Sequence, residues 1–474
     1  MIPTSRSLLI CCLIFAAFPA VGGIRLLAAE DDQKASTRVS YYKEIRPIFQ
    51  RSCQGCHQPA KASGKFVITS YAAIRQGGGS EEPVVVPGNP QESLLFQEIT
   101  PQDGEPPSMP KGKDPLSTAS IERIRRWIAQ GAKDDTPKSA NAPLVTMENP
   151  PRYRSPPVLT SIDYSPDGTL LAVSGYHEVL LHESDGSGLV ARLVGLSERI
   201  ESAVFSLDGK YLAVAGGSPG RTGEVQIWDV AKRKLRLSVP VTHDTVYGAS
   251  WSRDGKLIAF GCSDNTLRAI DAKTGKQVMY QGAHSDWVLD TAFSVDNSHL
   301  VSVSRDRSLK LVEVKTERFV DNITSITPGA LLGGLIAVDC HPERDELLVG
   351  GADGAPKIYR MHREKKRELG DDFNLLRKFD SMPGRIFDAE FNRDGTRIAV
   401  GSSFNGTGEV RVYAYEEKDS KMLWKLEIPA PVYAVTFSPD GKTVAAGGFD
   451  GTVRLISVEG GKQIKRFLPI PLQL

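Results

Sequence analysis

One turn of four residues recurs seven times in the later part of the chain. It reads Ser-Pro-Asp-Gly at 165, Ser-Leu-Asp-Gly at 206, Ser-Arg-Asp-Gly at 252 and Ser-Val-Asp-Asn at 294. It returns as His-Pro-Glu-Arg at 341, Asn-Arg-Asp-Gly at 392 and Ser-Pro-Asp-Gly at 438, at spacings of 41, 46, 42, 47, 51 and 46 residues. Each copy has the same local grammar. An alternating strand precedes the turn, as in YAVTFSPDG from Tyr433, where Ala434, Thr436 and Ser438 lie opposite Val435 and Phe437. A small apolar strand follows (TVAAGGF), then a second turn at Asp450–Gly451, then TVRLISV. Asp-Gly pairs supply the positive φ that tight hairpin turns require. The 44 glycines and 30 prolines of the chain fit a fold with many such turns. A unit of this size cannot bury its own apolar faces, so stacked copies must share a core, and this period predicts an all-β propeller of seven blades.

The units resemble WD40 repeats over residues 155 to about 470, and VQIWD at 225 carries the Trp-Asp pair itself. The resemblance implies a hydrogen-bonded network inside each blade, from a histidine before the first strand to an aspartate at the tight turn. Carried onto this chain it pairs His243 with Asp264 and His284 with Asp306, structurally rather than as metal ligands. His177 and His341 fall outside the pattern and read as exposed polar residues. Blades 2 and 6 lengthen the second turn, to GGSPGRTGEV at 216 and GSSFNGTGEV at 401, which suggests a paired binding rim. The run HREKKREL from His362 reads as a solvated loop.

In front of the repeats lies DDTPKSANAPLVTMENPPRYRSPPV from Asp134, with six prolines, an extended linker by composition. The expected organisation is an export segment at 1–29, a small domain at 30–135, a linker at 136–154 and the propeller at 155–474. Arg6, the apolar run LLICCLIFAAFPAVGGI and the small residues ending at Ala29 read as a cleaved export signal, with an uncleaved membrane anchor as the alternative. The expected location is therefore the periplasm or cell envelope. Cleavage removes Cys11 and Cys12, leaving Cys53, Cys56, Cys262 and Cys340. Cys262 and Cys340 end separate apolar runs and read as unpaired strand residues. The net charge of +1 gives no electrostatic reason to expect a nucleic-acid partner.

The small domain carries RSCQGCHQPA, with Cys53, Cys56 and His57. A structural zinc site needs a second ligand pair, yet no Cys or His occurs between His57 and His177. A thioredoxin-like redox pair needs a βαβ setting, and the flanks read as helix and glycine-rich loop. Cys-x-x-Cys-His matches covalent haem attachment, with thioethers to both cysteines and the histidine as an axial iron ligand. A sixth ligand is then expected, and Met109 in PPSMPKGK is the single methionine between the motif and Pro137. Prolines 106, 107 and 110 frame it. Lys111 and Lys113 beside it suggest positive charge at a docking edge. Helices are expected over YYKEIRPIFQRSC, PQESLLFQEI and STASIERIRRWIAQGA, burying Tyr42, Phe49 and Trp127, with Ser117 as N-cap and Gly131 as stop.

Residues 41 to 135 resemble the planctomycete-type cytochrome c domain through EIRPIF, CQGCH, VPGNPQESLLF, MPKGK and RRWIAQGA. The resemblance implies a small all-α class I-like cytochrome fold and one haem c. It places thioethers on Cys53 and Cys56 and iron ligation on His57 and Met109. The whole chain then reads as a multidomain, exported single-electron carrier with a WD40-like propeller for docking a redox partner protein, and no catalytic residues. Membrane attachment would require the N-terminal segment to stay uncleaved. Two other readings stay open: an oxidoreductase in the propeller using the haem as acceptor, and a redox-sensing scaffold. Against the former, no clustered set of Asp, Glu or Asn stands out from the turn residues.

Overall fold

A computed structural model describes residues 38–473, apart from 60, 103, 139–144, 283, 326–331, 369, 417–419 and 471. The export segment expected at 1–29, with Arg6, Cys11 and Cys12, lies outside the described residues. The chain divides into two compact units, residues 1–141 and 142–474. No helix among the described residues is long and apolar enough to cross a membrane.

The first unit is built from short helices. A π-turn at Tyr41–Ile45 runs into α1 (Arg46–Ser52), followed by α2 (Tyr71–Gln76), α3 (Leu94–Ile99) and α4 (Thr118–Ala129). Ser117 caps α4 by accepting from the Ser120 amide, and Gly131 stops it at φ +94°. The stripe of α4 closest to the core is Ile124, Trp127 and Ile128, all buried, with Ile121 partly buried beside them. Tyr41, and not Tyr42, is the buried tyrosine. The Arg46 amide bonds back five residues to the Tyr41 carbonyl, and this wider turn puts Tyr41 and Ile45 on the core side. Tyr41 stacks on Trp127 at 5.5 Å, while Tyr42 is only partly buried, under the Arg46 guanidinium. Helix α2, capped by Ser70, is an element that the glycine-rich reading of this stretch does not anticipate.

The second unit is mostly β, with four-stranded antiparallel sheets as WD40-like repeats require. Each repeat begins with an inner strand: β1 (Ile162–Tyr164), β2 (Leu189–Phe205), β3 (Val246–Trp251), β4 (Val288–Phe293), β5 (Leu335–Cys340), β6 (Arg385–Phe391) and β7 (Val432–Phe437). Strands β3 to β7 each open a four-stranded sheet. The 17-residue β2 serves two repeats. Its first half pairs with Tyr176–Glu183 and its second half with Tyr211–Ser218, joining seven strands into one sheet. Contacts between inner strands run in cyclic order, from β1 to β2 and onward to β7, which meets β1 again. The core lies between successive sheets; Ile258, Phe260, Val246 and Ala213, for example, share one apolar cluster across two repeats. Burying a side chain such as Phe260 contributes about 1.5–3 kcal/mol.

The end of the proline-rich stretch is not free chain. Tyr153 is buried among Leu159, Leu455 and Ile470, and its hydroxyl donates to Glu178 Oε1 at 2.8 Å. Its carbonyl accepts from the Gln473 amide, so both ends of the unit are tied together. An aromatic ring and a carbonyl with partners outweigh the extended bias of the prolines around them.

Candidate functional site

In the first unit, α1 ends at Cys53, whose amide bonds to the Phe49 carbonyl at 2.9 Å. The amides of Cys56 and His57 both fold back to the Cys53 carbonyl at 3.1 Å, so the motif is one tight turn beyond the helix. The turn is closed from the other side: the Ser63 amide donates to the Cys56 carbonyl, and the Ile68 amide to the His57 carbonyl. His57 Nδ1 lies 3.0 Å from the Ser63 carbonyl oxygen. A carbonyl only accepts, so Nδ1 carries the proton and Nε2 presents a lone pair. Neither cysteine is in a disulfide, and burial pushes an unmodified Cys53 thiol up to about 11.

Met109 hangs from the end of α3, where its amide bonds to the Glu98 carbonyl at 2.9 Å. Met109 and Cys53 are both partly buried against the same apolar cluster of Tyr41, Phe49, Phe96 and Trp127. Lys111 and Lys113 are exposed just beyond it. Two thiols and an imidazole with Nε2 available on one turn, and a thioether packed with Cys53 on one core, are donors that could hold a metalloporphyrin. Among the described residues, no three His, Cys, Asp or Glu side chains are grouped to hold a lone metal ion.

In the second unit the structure brings His284 and Asp306 together. Nδ1 lies 2.9 Å from Asp306 Oδ2, and Nε2 lies 2.8 Å from Ser302 Oγ. Burial alone would raise the Asp306 carboxyl, but bonds from His284, Ser308 and the Ser285 amide hold it well below the usual range.

His243 and Asp264 do not form the corresponding pair. His243 is exposed, and Asp264 is bonded by Arg268 and Thr266. The reason is register. Counting back from Val246 and Val288, which pair with the equivalent Cys262 and Ser304, makes Thr242 and not His243 the equivalent of His284. Thr242 Oγ1 indeed reaches Asp264 Oδ2 at 3.5 Å. The residue equivalent to Ser302 in this repeat is Phe260, which offers nothing to a second ring nitrogen.

A different pattern recurs, and it was legible as Asp-x-x-x-Lys/Arg at the second turn. Asp264 pairs with Arg268, Asp306 with Lys310, Asp353 with Lys357 and Asp450 with Arg454. The three other repeats place a buried glutamate near this turn. Glu178 takes Arg192, Glu224 takes Ser197 and Gln226, and Glu409 takes Arg411. The shared Thr-Gly-Glu-Val of the long turns therefore puts its glutamate inside the sheet, while Phe404 in the second of them is exposed. His341 is buried rather than exposed: it packs on Phe391 at 5.2 Å and accepts from the Glu343 amide. Cys262 and Cys340 are free and buried at strand ends.

The inner strands enclose a cavity of about 1370 Å³, and a set of acidic residues that does not stand out in the sequence comes together there. Asp163, Asp290, Asp339, Asp388 and Glu390 sit within strands, not at turns. Four of them bind neighbouring repeats. Asp163 accepts from the Phe205 amide, Asp290 from Val338, Asp339 from Phe391 and Asp388 from Val435, at 2.7 to 2.9 Å. Burial pushes Asp163 and Asp388 up to about 7, Asp290 to about 8 and Asp339 to about 6, and Glu390 well above its ordinary range.

With this geometry in hand, similarity to known proteins falls into two parts. The family described as Planctomycete cytochrome C matches residues 53–112, which include the Cys-x-x-Cys-His turn and Met109. The family described as WD domain, G-beta repeat matches 421–457, and the Anaphase-promoting complex subunit 4 WD40 domain matches 240–296. Curated relatives include eukaryotic translation initiation factor 3 subunit I from Aspergillus terreus, 26% identical over 56% of this chain and 82% of its own length. The same subunit from Coccidioides immitis is 26% identical over 57% of this chain and 82% of its own. The chain thus joins a planctomycete cytochrome c domain to WD40 repeats.

Proposed function

We propose that this fusion is an exported single-electron carrier with a protein-docking platform, and not itself an enzyme. The first unit would hold one haem c. Cys53 and Cys56 would carry the thioethers, and His57 through Nε2 and Met109 through its sulfur would hold the iron. The observation that carries the reading is the packing of Cys53 and Met109 on one apolar cluster, beside an imidazole whose Nδ1 is tied to the Ser63 carbonyl. When bound, such a group would supply reversible one-electron chemistry at iron, with a potential tuned by the residues that hold it. The chain's own residues do the positioning. The Ser63 carbonyl sets the His57 tautomer and ring orientation. The Glu98 carbonyl anchors the Met109 loop, and the Tyr41, Phe49 and Trp127 rings keep water from the neighbouring core.

The cyclic order of inner-strand contacts supports a propeller of seven blades, residues 155–474, joined to the cytochrome domain through the 136–154 segment. WD40 repeats and the relatives, which are named as subunits of a larger factor, favour a protein partner. Exposed Lys111 and Lys113 would favour an acidic redox partner.

The test is spectroscopic. The full chain, expressed with export and haem-maturation machinery, should show the sharp reduced α-band of six-coordinate haem c. Met109→Ala should lose it, and Cys53→Ser should weaken haem staining on a denaturing gel. An unchanged spectrum in Met109→Ala would overturn the ligand assignment.

A further inference from the structure

Charge and apolar surface in the second unit are divided unequally between its two edges. Antiparallel pairing sets Arg199 beside Gly217, Val288 beside Ser304, Arg385 beside Ser403 and Val432 beside Gly448. The entry to each inner strand and the second turn of its repeat therefore share one edge. The edge continues between repeats: a Cβ on Gly334, before β5, would stand 2.7 Å from Arg305 Cα in the preceding repeat. Exposed along it are Tyr176, Leu196, Trp287, Leu332, Phe404 and Phe449, the last three at 73%, 52% and 60%. Arg199, Arg221, Arg305, Arg307 and Arg385 are exposed among them.

The acids of the same edge are withdrawn or already engaged. Glu178, Glu224 and Glu409 are buried in their sheets. Asp306, Asp353 and Asp450 hold the lysine or arginine four residues on, and Asp286 lies 3.6 Å from Arg305. Asp264, paired with Arg268, and Asp380, before β6, are the acids left exposed here among the described residues. No ion pair among the described residues holds Arg199, Arg221, Arg307 or Arg385. The opposite edge is balanced, for Lys210, Lys256 and Lys442 each pair with the aspartate two residues earlier. Arg305 and Arg385 also border the mouth of the cavity, with Tyr247, Trp287, Phe387 and Tyr433. The acids deeper in that cavity are bonded by amides and raised towards their neutral forms, so they oppose the positive rim weakly.

Arginines and aromatic rings are the side chains that dominate protein interfaces, and exposed cations without partners select a surface of opposite sign. We propose that this edge docks an acidic protein segment, with its carboxylates on Arg305, Arg307 and Arg385 and an apolar side chain against Trp287 at the cavity mouth. The proposal rests on the docking reading above and gives the partner a chemistry. Nucleic acid would need open ring faces for its bases. Trp287 instead carries the Arg305 guanidinium over its ring at 4.6 Å and Tyr247 stacked on it at 5.8 Å.

The experiment is calorimetric titration of the full chain with a glutamate-rich peptide carrying one phenylalanine, at low and at physiological salt. The same peptide with glutamine for every glutamate, and a single-stranded oligothymidine, are the comparisons. Saturable binding of the acidic peptide is expected, weaker as salt rises, with none of the glutamine peptide. Arg305→Glu combined with Arg385→Glu should weaken it roughly tenfold or more, and Trp287→Ala comparably. Lys442→Glu, on the opposite edge, should leave it unchanged. If the Arg305 variant misfolds, Arg221→Glu with Arg307→Glu, both in exposed turns, carries the test. No saturable heat with the acidic peptide, equal affinity in the arginine variants, or tighter binding of the oligothymidine would overturn the proposal. Each of those results leaves the haem α-band of the first unit untouched, whereas loss of that band with peptide binding intact counts against the electron-carrier reading alone.

Discussion

Replacing Asp306 by Ala is a direct test of how one repeat is held. Asp306 accepts from His284 Nδ1 at 2.9 Å, from the Ser285 and Ser308 amides at 3.0 Å and from Ser308 Oγ at 2.5 Å. Lys310 lies 3.9 Å away, and the His284 and Asp306 side chains are only 1% and 8% exposed. Alanine leaves an imidazole N–H, two amides and a hydroxyl without their acceptor in a place water barely reaches. Each buried unmet donor costs about 1–3 kcal/mol, but the edge of the network can relax. The expected loss is therefore about 3–5 kcal/mol, the range for breaking a buried pair from one side. Asp264→Ala should cost only about 1–2 kcal/mol, since the Asp264 side chain is 38% exposed and water can replace Arg268. His243→Ala should change stability by less than about 0.5 kcal/mol, because that ring is exposed. The assay is urea unfolding of the full chain, following strand circular dichroism for the second unit and helical circular dichroism for the first, with the midpoint shift multiplied by m. Equal losses for Asp306→Ala and His243→Ala would refute both the register argument and the burial argument.

The acids around the cavity predict an unusual pH profile. Asp163, Asp290, Asp339 and Asp388 have folded values raised to about 7, 8, 6 and 7, so the folded state binds protons more tightly than the unfolded chain. The stability they contribute is complete below about pH 4 and is lost as pH rises through 6 to 8. Thermal unfolding of the second unit from pH 5 to 8.5 should show that decline, and a flat profile would remove their role. Asp306 acts in the opposite sense, losing its contribution in strong acid as it protonates. In the first unit, Trp127→Ala should cost about 3–5 kcal/mol, since the ring is buried, stacked on Tyr41 and bonded through Nε1 to the Lys133 carbonyl at 3.0 Å. Loss of helical circular dichroism at moderate temperature would show it, and a native-like melt would contradict it. With a redox partner, the electron-transfer rate should fall steeply with added salt, and Lys111→Glu combined with Lys113→Glu should flatten that dependence; a salt-independent rate in the unaltered chain would remove the docking role.

Periodicity and motif spacing alone determined much of this protein. Seven turns at one period require short strands stacked in repeats, because each unit has an apolar face it cannot cover by itself. Cys53, Cys56 and His57 are adjacent in the chain, so their shared turn is a local property, and Ser117 and Gly131 bound their helix for equally local reasons. What the tertiary structure alone decided depends on contacts between distant segments. A shift of one residue moves Thr242 into the place expected for His243, and only strand pairing shows it. The π-turn buries Tyr41 instead of Tyr42 by an amount of rotation that apolar spacing does not specify. The acids of the cavity lie on four strands, at positions 163, 290, 339, 388 and 390, each looking in sequence like an isolated polar residue in an apolar run. Contacts between the inner strands bring them into one space, where burial raises their proton affinity together.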